Sequence, residues 1–433
     1  MKKAFTKSFV FFFFLLLWVP LLLWNFYSLP EKPLYGAYEP RSKPLFSDSL
    51  WFSGNYQTAF EGYLNDSICL RNFFVRFRNQ LDYSLFNKTH AIDNFVGKDR
   101  FLVAESHFDN YYGKSAHWPI SPDSLVYKIK KIQDTLSRCG KTLLVVLAPN
   151  KGYTYPELAP FWYKPPRSFG LNDYSKFISS AKQLNINVLD FQNYFNRLKL
   201  EGKKYLYPFW GVHWTQYYAD KCYDSLLGHL QFLRREQLPE FIKTGEERVD
   251  TPRYTDNDME KLLNLLVKPA RYTYTYQKFR IDTLGRKKIN IAFVSDSYAF
   301  SWFFENQVQQ SFTKWSNWYY YKRIDSNHSS HGKLFSQVSL LEQVQLHDVF
   351  VVMATGPNLS ELGWGFFQNL YDLYFHPNAK RIHEWMEKIR RDQTFFDQIV
   401  RKANEAHIDV ELQLLYDARY QVDEEDKRNN VIK

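Results

Sequence analysis

Four short apolar runs rich in branched residues, separated by stretches of helical period, set the tightest limit on what this chain can fold into. Residues 142–147 (TLLVVL), 187–191 (NVLDF), 289–294 (INIAFV) and 348–353 (DVFVVM) read as strands buried on both faces. Between them, residues 124–139 and 173–184 repeat apolar side chains at the spacing of a helix face. Such alternation predicts an α/β sandwich of three layers, with a mainly parallel sheet covered by helices on both sides. Functional groups in sheets of this kind gather at the carboxyl ends of the strands. With 433 residues the chain can form one large domain with extensions.

The flanks read differently. Residues 9–27 carry no charge and are long enough to cross a bilayer as a helix, and Lys2, Lys3 and Lys7 precede them. The expectation is a single N-terminal transmembrane anchor over residues 1–28, with the N-terminus cytoplasmic and the rest of the chain outside. Trp24, Phe26 and Tyr27 stand where a cleaved leader would have small residues, which favours an uncleaved anchor. A linker follows over residues 29–46, with Pro30, Pro33, Pro40 and Pro44. Residues 50–86 have the period of one or two amphipathic helices that open the main domain, 47–375, and residues 376–433 read as a C-terminal helical extension.

Composition excludes more than it selects. The net charge of +10 permits an anionic polymer or membrane surface as partner. The basic residues, however, come in short groups such as Lys128, Lys130 and Lys131, which suit solvated faces better than a nucleic-acid stripe. Cys69, Cys139 and Cys222 have no metal-ligand spacing, and no phosphate loop is evident, so the expectation is a protein without metal or cofactor. Aromatic residues make up 19% of the chain, enough to build the core and also to line a sugar-stacking groove.

Three segments fall at the expected strand ends: residues 148–160 (APNKGYTYPELAP), 207–215 (YPFWGVHWT) and 293–302 (FVSDSYAFSW). With 96–102 (VGKDRFL) upstream, they resemble the motifs of the SGNH-hydrolase-like domain of the alginate O-acetyltransferase family. That family shows P-x-K-x-x-x-Y-P-E after a strand, then D-x-H-W-T, then a G-D-S turn, with histidine before serine as a circular permutation of the usual SGNH order. The resemblance implies that Ser297 is the nucleophile and His213 its general base, because a serine hydroxyl attacks well only when an imidazole takes its proton. Read without the resemblance, Ser297 is a helix N-cap and His213 a packed core histidine.

Two positions depart from the pattern. Gly211 stands where the family has the aspartate that orients the histidine, and Ser295 replaces the glycine before Asp296. A Ser-His dyad, or a carboxylate drawn from Asp296 or Asp190, would have to serve instead, although Asp190 reads first as a cap of the turn after its strand. Asn150, Lys151 and Tyr155 match the first motif and are expected to hold substrate, with a turn stiffened by Pro149 and Pro156 as the other reading. Asn358, in TGPN after the last strand, is expected to donate to an oxyanion.

The function implied by the resemblance is O-acetyl transfer to a cell-envelope or exported polysaccharide. The domain would face the periplasm from the bacterial inner membrane, and a multispanning membrane O-acyltransferase would supply the acetyl group. An inert SGNH-like domain that binds glycan or scaffolds an export complex is the alternative, with Gly211 as its mark. An anchored acetylesterase is the third reading.

Overall fold

The computed structural model describes residues 9–15, 18, 32–36, 40–114, 118–164, 172–269, 272–375, 378–405 and 410–431. Its strands are β1 (Asn94–Val96), β2 (Leu102–Ala104), β3 (Thr142–Ala148), β4 (Val188–Asp190), β5 (Glu240–Val249), β6 (Tyr274–Asp282), β7 (Ile291–Ser295), β8 (Trp315–Tyr319), β9 (Arg323–Ser326) and β10 (Val349–Thr355). Six of them form one sheet in the order β4-β3-β10-β7-β8-β9. All neighbours run parallel except β9, which is antiparallel to β8. The four runs read from the sequence are β3, β4, β7 and β10.

Alternation within each strand builds two cores. Leu144, Val146, Phe293, Val351 and Met353 face one side, under the helices Phe191–Leu200 and Gln216–Arg234. Leu143, Val145, Val294, Phe350 and Val352 face the other, under Pro122–Arg138, Asp173–Gln183 and Phe366–Phe375. Because successive side chains point to opposite faces, a continuous apolar run is what a strand between two helical layers requires. The helix Pro122–Arg138 shows how sharply its ends are set. Ser121 accepts a hydrogen bond from the Ser124 N–H, Pro122 opens the first turn, and Gly140 beyond the end has a φ of 70°.

Several strands were not foreseen. β8 (WSNWY) alternates polar and aromatic residues, and β9 is short and antiparallel at the sheet edge, so neither has an unbroken apolar run. The hairpins β1-β2 and β5-β6 stand outside the main sheet, and a two-stranded ribbon needs no such pattern. Residues 50–86 form three helices, Asp48–Phe52, Asn55–Ser67 and Arg71–Phe86, rather than one or two. The C-terminal helices Ala379–Arg391, Gln393–Glu405 and Val410–Val431 enclose their own cluster around Ile389, Ile399 and Leu414. The Arg419–Asp372 ion pair fastens that cluster to Phe366–Phe375.

Most of the expected membrane span lies outside the described residues. Residues 9–15 and 18 are helical and exposed, and among the described residues no helix is long and apolar enough to cross a membrane.

Leu144 is fully buried in β3 beneath two helices. Leu144→Ala is expected to lower stability by roughly 2–5 kcal/mol, read as a shift in the urea unfolding midpoint.

Candidate active site

Parallel pairing aligns Ala148 of β3 with Thr355 of β10, and Met353 of β10 with Ser295 of β7. The turns that follow these strands therefore leave the sheet along one edge. After β7 the chain enters a tight turn, Ser297–Ala299, and Ser297 stands half-buried at its first position.

The loop before Gln216–Arg234 brings His213 to this serine, with Nε2 2.8 Å from Ser297 Oγ. The neighbours of the ring fix its plane. Tyr298 packs tilted against it, with ring centres 4.6 Å apart, and donates its hydroxyl proton to the Val212 carbonyl at 2.8 Å. Trp214, fully buried, anchors the next residue by donating to Ser301 Oγ at 3.0 Å.

His213 Nδ1 meets Asp258 Oδ2 at 2.5 Å. The other oxygen of Asp258 accepts from the N–H groups of Val212 at 3.0 Å and Met259 at 2.8 Å. Serine, imidazole and carboxylate thus form one hydrogen-bonded chain, with the carboxylate held by backbone donors. Sequence reasoning missed Asp258. It lies 45 residues beyond His213, in DNDME before a short helix, where it looks like an ordinary capping acid.

Gly211 is what makes room for it. A Cβ at this position would lie 2.6 Å from the Thr255 carbonyl oxygen, 2.8 Å from Pro208 Cγ and 3.1 Å from Asp258 Oδ1. The carboxylate of Asp258 therefore stands beside the space that a side chain at 211 would occupy. Ser295 also has a local reason, since its hydroxyl donates to Asn317 Oδ1 on β8 at 2.8 Å.

The other expected site residues are placed elsewhere. Asp296 is turned away from His213. Its Oδ1 accepts from the Tyr298 N–H, and its Oδ2 accepts from the Thr355 N–H and hydroxyl and from Asn358 Nδ2, at 2.8 to 3.1 Å. It ties the turn after β7 to the end of β10 and leaves the orienting of His213 to Asp258. Asn358 donates to Asp296 and to Thr355 Oγ1, so its amide protons serve this turn rather than an oxyanion at Ser297. Asp190 caps Phe191–Leu200 through the Asn193 N–H.

Lys151 and Asn150, expected to touch substrate, lie in the interior. The Lys151 ammonium donates to the carbonyls of Leu102, Pro208 and Gly211 at 2.7 to 2.9 Å, which uses all of its protons. It braces the His213 loop against β2 from beneath. Burial pushes its pKa down to about 7. Asn150 Oδ1 caps the turn by accepting from Gly152 and Tyr153 N–H. Tyr155 packs on Tyr207 beneath the Lys199 ammonium, and burial raises its phenol to about 12. His107 completes this floor. Its Nδ1 accepts from the Lys151 N–H, and burial lowers its pKa to about 3, so the ring is neutral.

A second carboxyl lies behind the site. Asp256 is buried and accepts from the Tyr276 hydroxyl at 2.7 Å and the Gln216 N–H at 3.3 Å. Burial pushes its pKa up to about 7 against the pull of these bonds, and the Asp258 charge adds to the rise. Among the described residues there is no cluster of three or more His, Cys, Asp or Glu side chains that could hold a metal ion.

Residues 110–314 match the family model of the SGNH hydrolase-like domain, acetyltransferase AlgX. This stretch is similar to an SGNH hydrolase-like domain of the AlgX type. His213, Asp258 and Ser297 all fall within the matched stretch. Two curated relatives are similar, both described as probable alginate O-acetylase AlgJ. The one from Pseudomonas syringae pv. tomato is 25% identical over 196 residues, covering 45% of this chain and 48% of that protein. The one from Pseudomonas putida is 25% identical over 148 residues, covering 34% and 36%. The chain thus spans less than half the length of each.

Solved structures that overlap the AlgX-like domain include the O-acetyltransferase domain of Pseudomonas putida AlgJ. It shows 19% identity and a TM-score of 0.41, covering 64% of this chain and 98% of that one. Pseudomonas aeruginosa AlgX shows 15% identity and a TM-score of 0.39, covering 67% and 69%.

Two substitutions test the local geometry. Gly211→Ala forces the Asp258 loop outward and is expected to cost roughly 1–3 kcal/mol, read by thermal unfolding. Asp256 ionises near 3.8 when unfolded and near 7 when folded. Its contribution to stability is therefore full below about pH 4 and is lost as pH rises through 7. Asp256→Asn should remove that loss, so between pH 4 and 8 the stability of the native protein should fall relative to the variant in paired urea titrations.

Proposed function

We propose that this protein is an O-acyltransferase that moves an acetyl group through Ser297 to a hydroxyl of a polysaccharide. The observation that carries the reading is the hydrogen-bonded chain from Ser297 Oγ through His213 to Asp258, at 2.8 and 2.5 Å. In the first half-reaction Ser297 Oγ attacks the acetyl carbonyl while His213 Nε2 takes the hydroxyl proton. Asp258 holds the imidazole in the tautomer that can accept at Nε2, and it stabilises the imidazolium. The donor leaves with that proton as its bond to the acetyl carbon breaks. In the second half-reaction the acceptor hydroxyl gives its proton to His213 and attacks the acetyl-serine, and His213 returns that proton to Ser297 Oγ as its bond to the acetyl carbon breaks.

The acceptor class is carried over from the relatives, whose names specify alginate O-acetylation. A cavity of about 240 Å³ beside the His213 loop supports it. Tyr205, Tyr217, Tyr218, Tyr272 and Tyr274 line it, with Arg248 at its wall. Ring faces for sugar stacking and hydroxyls for hydrogen bonds meet in one groove, whose wall carries Lys204 and Arg248 beside the acids Glu246 and Asp256. The uncharged run at residues 9–27 is read as a single inner-membrane anchor that leaves the domain in the periplasm. The supply of acetyl groups by a multispanning O-acyltransferase belongs to the same reading.

The departure at Gly211, which favoured an inert scaffold, loses its force once Asp258 supplies the carboxylate. With an activated acetyl ester, an acetyl adduct on Ser297 should be detected by mass spectrometry and should vanish in Ser297→Ala. Asp258→Asn should keep the fold and reduce turnover on the order of 10⁴-fold, as loss of the orienting carboxylate does in a serine triad. Equal and negligible signal from native protein and Ser297→Ala would overturn acyl transfer and return the scaffold reading.

A further inference from the structure

The helix Arg71–Phe86 is built the wrong way round for a helix in water. One side packs on the domain through Arg76, Asn79 and Tyr83; Asn79 donates to the Leu263 carbonyl at 2.9 Å, and Arg76 and Tyr83 are buried. The opposite side, about a third of the circumference, presents Phe73, Phe74, Phe77, Leu81 and Leu85 to solvent. A soluble surface helix carries polar residues there. Residues 45–52 expose further apolar side chains, with Leu45 88% and Phe52 87% exposed. Contiguous apolar surface of this kind marks something that covers it.

We propose that this face lies on the surface of a phospholipid bilayer, beside the N-terminal segment. This rests on the anchor reading of residues 9–27. Three observations select lipid as the occupant. The first is distance. The chain just after the apolar run is fastened to this same helix: Arg76 donates to the Pro33 carbonyl at 2.8 Å and Asn72 to the Lys32 carbonyl at 3.3 Å. From Tyr27 to Lys32 an extended chain spans at most about 18 Å, so a run that ends in a bilayer at Tyr27 holds the start of the helix at the membrane boundary.

The second is composition. Phe and Leu on one sector, with a cation at its edge, is the signature of a helix lying in the interfacial plane. Phe46, Trp51 and Tyr56 add an aromatic group of the sort enriched at bilayer boundaries. The third is charge. Arg78, 71% exposed and ion-paired with Asp82 at 3.8 Å, borders the apolar sector, Lys88 follows the helix, and the chain carries +10, which suits anionic headgroups.

The test uses the full chain in vesicles of phosphatidylethanolamine and phosphatidylglycerol, in a Cys139→Ser background, because Cys69 and Cys222 are buried. An environment-sensitive fluorophore is placed on Phe77→Cys, on Phe12→Cys within the apolar run, or on Leu284→Cys as an aqueous reference. The label at 77 is expected to lose emission to bromine-labelled phospholipid and to resist aqueous iodide, while the label at 284 does the reverse. If the label at 12 meets bromolipid but that at 77 is quenched by iodide, the anchor stands and the inference falls. If the label at 77 is shielded from both quenchers, protein rather than lipid covers the face, and the inference falls as well. If neither 12 nor 77 meets bromolipid, the anchor reading fails and takes the inference with it.

Discussion

The parallel register of β3, β10 and β7 is the constraint on which the rest of the structure depends. It places Ala148, Thr355 and Ser295 at one edge of the sheet, so the turns that leave these strands share a single surface. Asp296 then joins two of those turns by accepting from Tyr298 on one side and from Thr355 and Asn358 on the other. The serine is presented by backbone geometry, and the groups expected to act beside it are spent on holding that geometry.

The opposite wall of the site is a loop that makes few regular backbone hydrogen bonds. Its support comes from Lys151, whose buried ammonium collects three carbonyl oxygens from β2 and from the loop itself. A buried cation is costly unless all of its donors are satisfied, and this one converts that cost into a fixed position for the residues before His213. The Lys-Tyr motif of the family therefore lies beneath the site as a brace. The same economy governs the two acids of the 256–258 stretch. Burial pushes the pKa of Asp256 up to about 7, while the neighbouring Asp258 is the carboxylate that meets His213.

The flank that opens the main domain follows other rules. The helix Arg71–Phe86 meets the domain through polar side chains and turns its aromatic side outward, whereas Pro122–Arg138 buries its apolar side against the sheet. One chain thus contains helices of both polarities. The sheet core is covered by its own helices, whereas the outer side of Arg71–Phe86 is the face for which a bilayer contact is proposed.

The sequence by itself determined the α/β class, four strands of the sheet and the pairing of Ser297 with His213. Unbroken apolar runs can satisfy only a doubly covered strand, and the His-Trp-Thr and Asp-Ser motifs are contiguous in the chain. It was silent on β8, whose polar and aromatic alternation acquires meaning only beside a partner strand, and on both hairpins, of which β1 and β2 are only three residues each. Tertiary structure alone decided the fate of the missing carboxylate. Asp258 lies 45 residues from His213 and reaches it because Gly211 has no side chain to fill the space between the loops. It likewise decided that Lys151 and Asn150 face inward, since whether a polar side chain meets substrate or a ring of carbonyls depends on what folds over it.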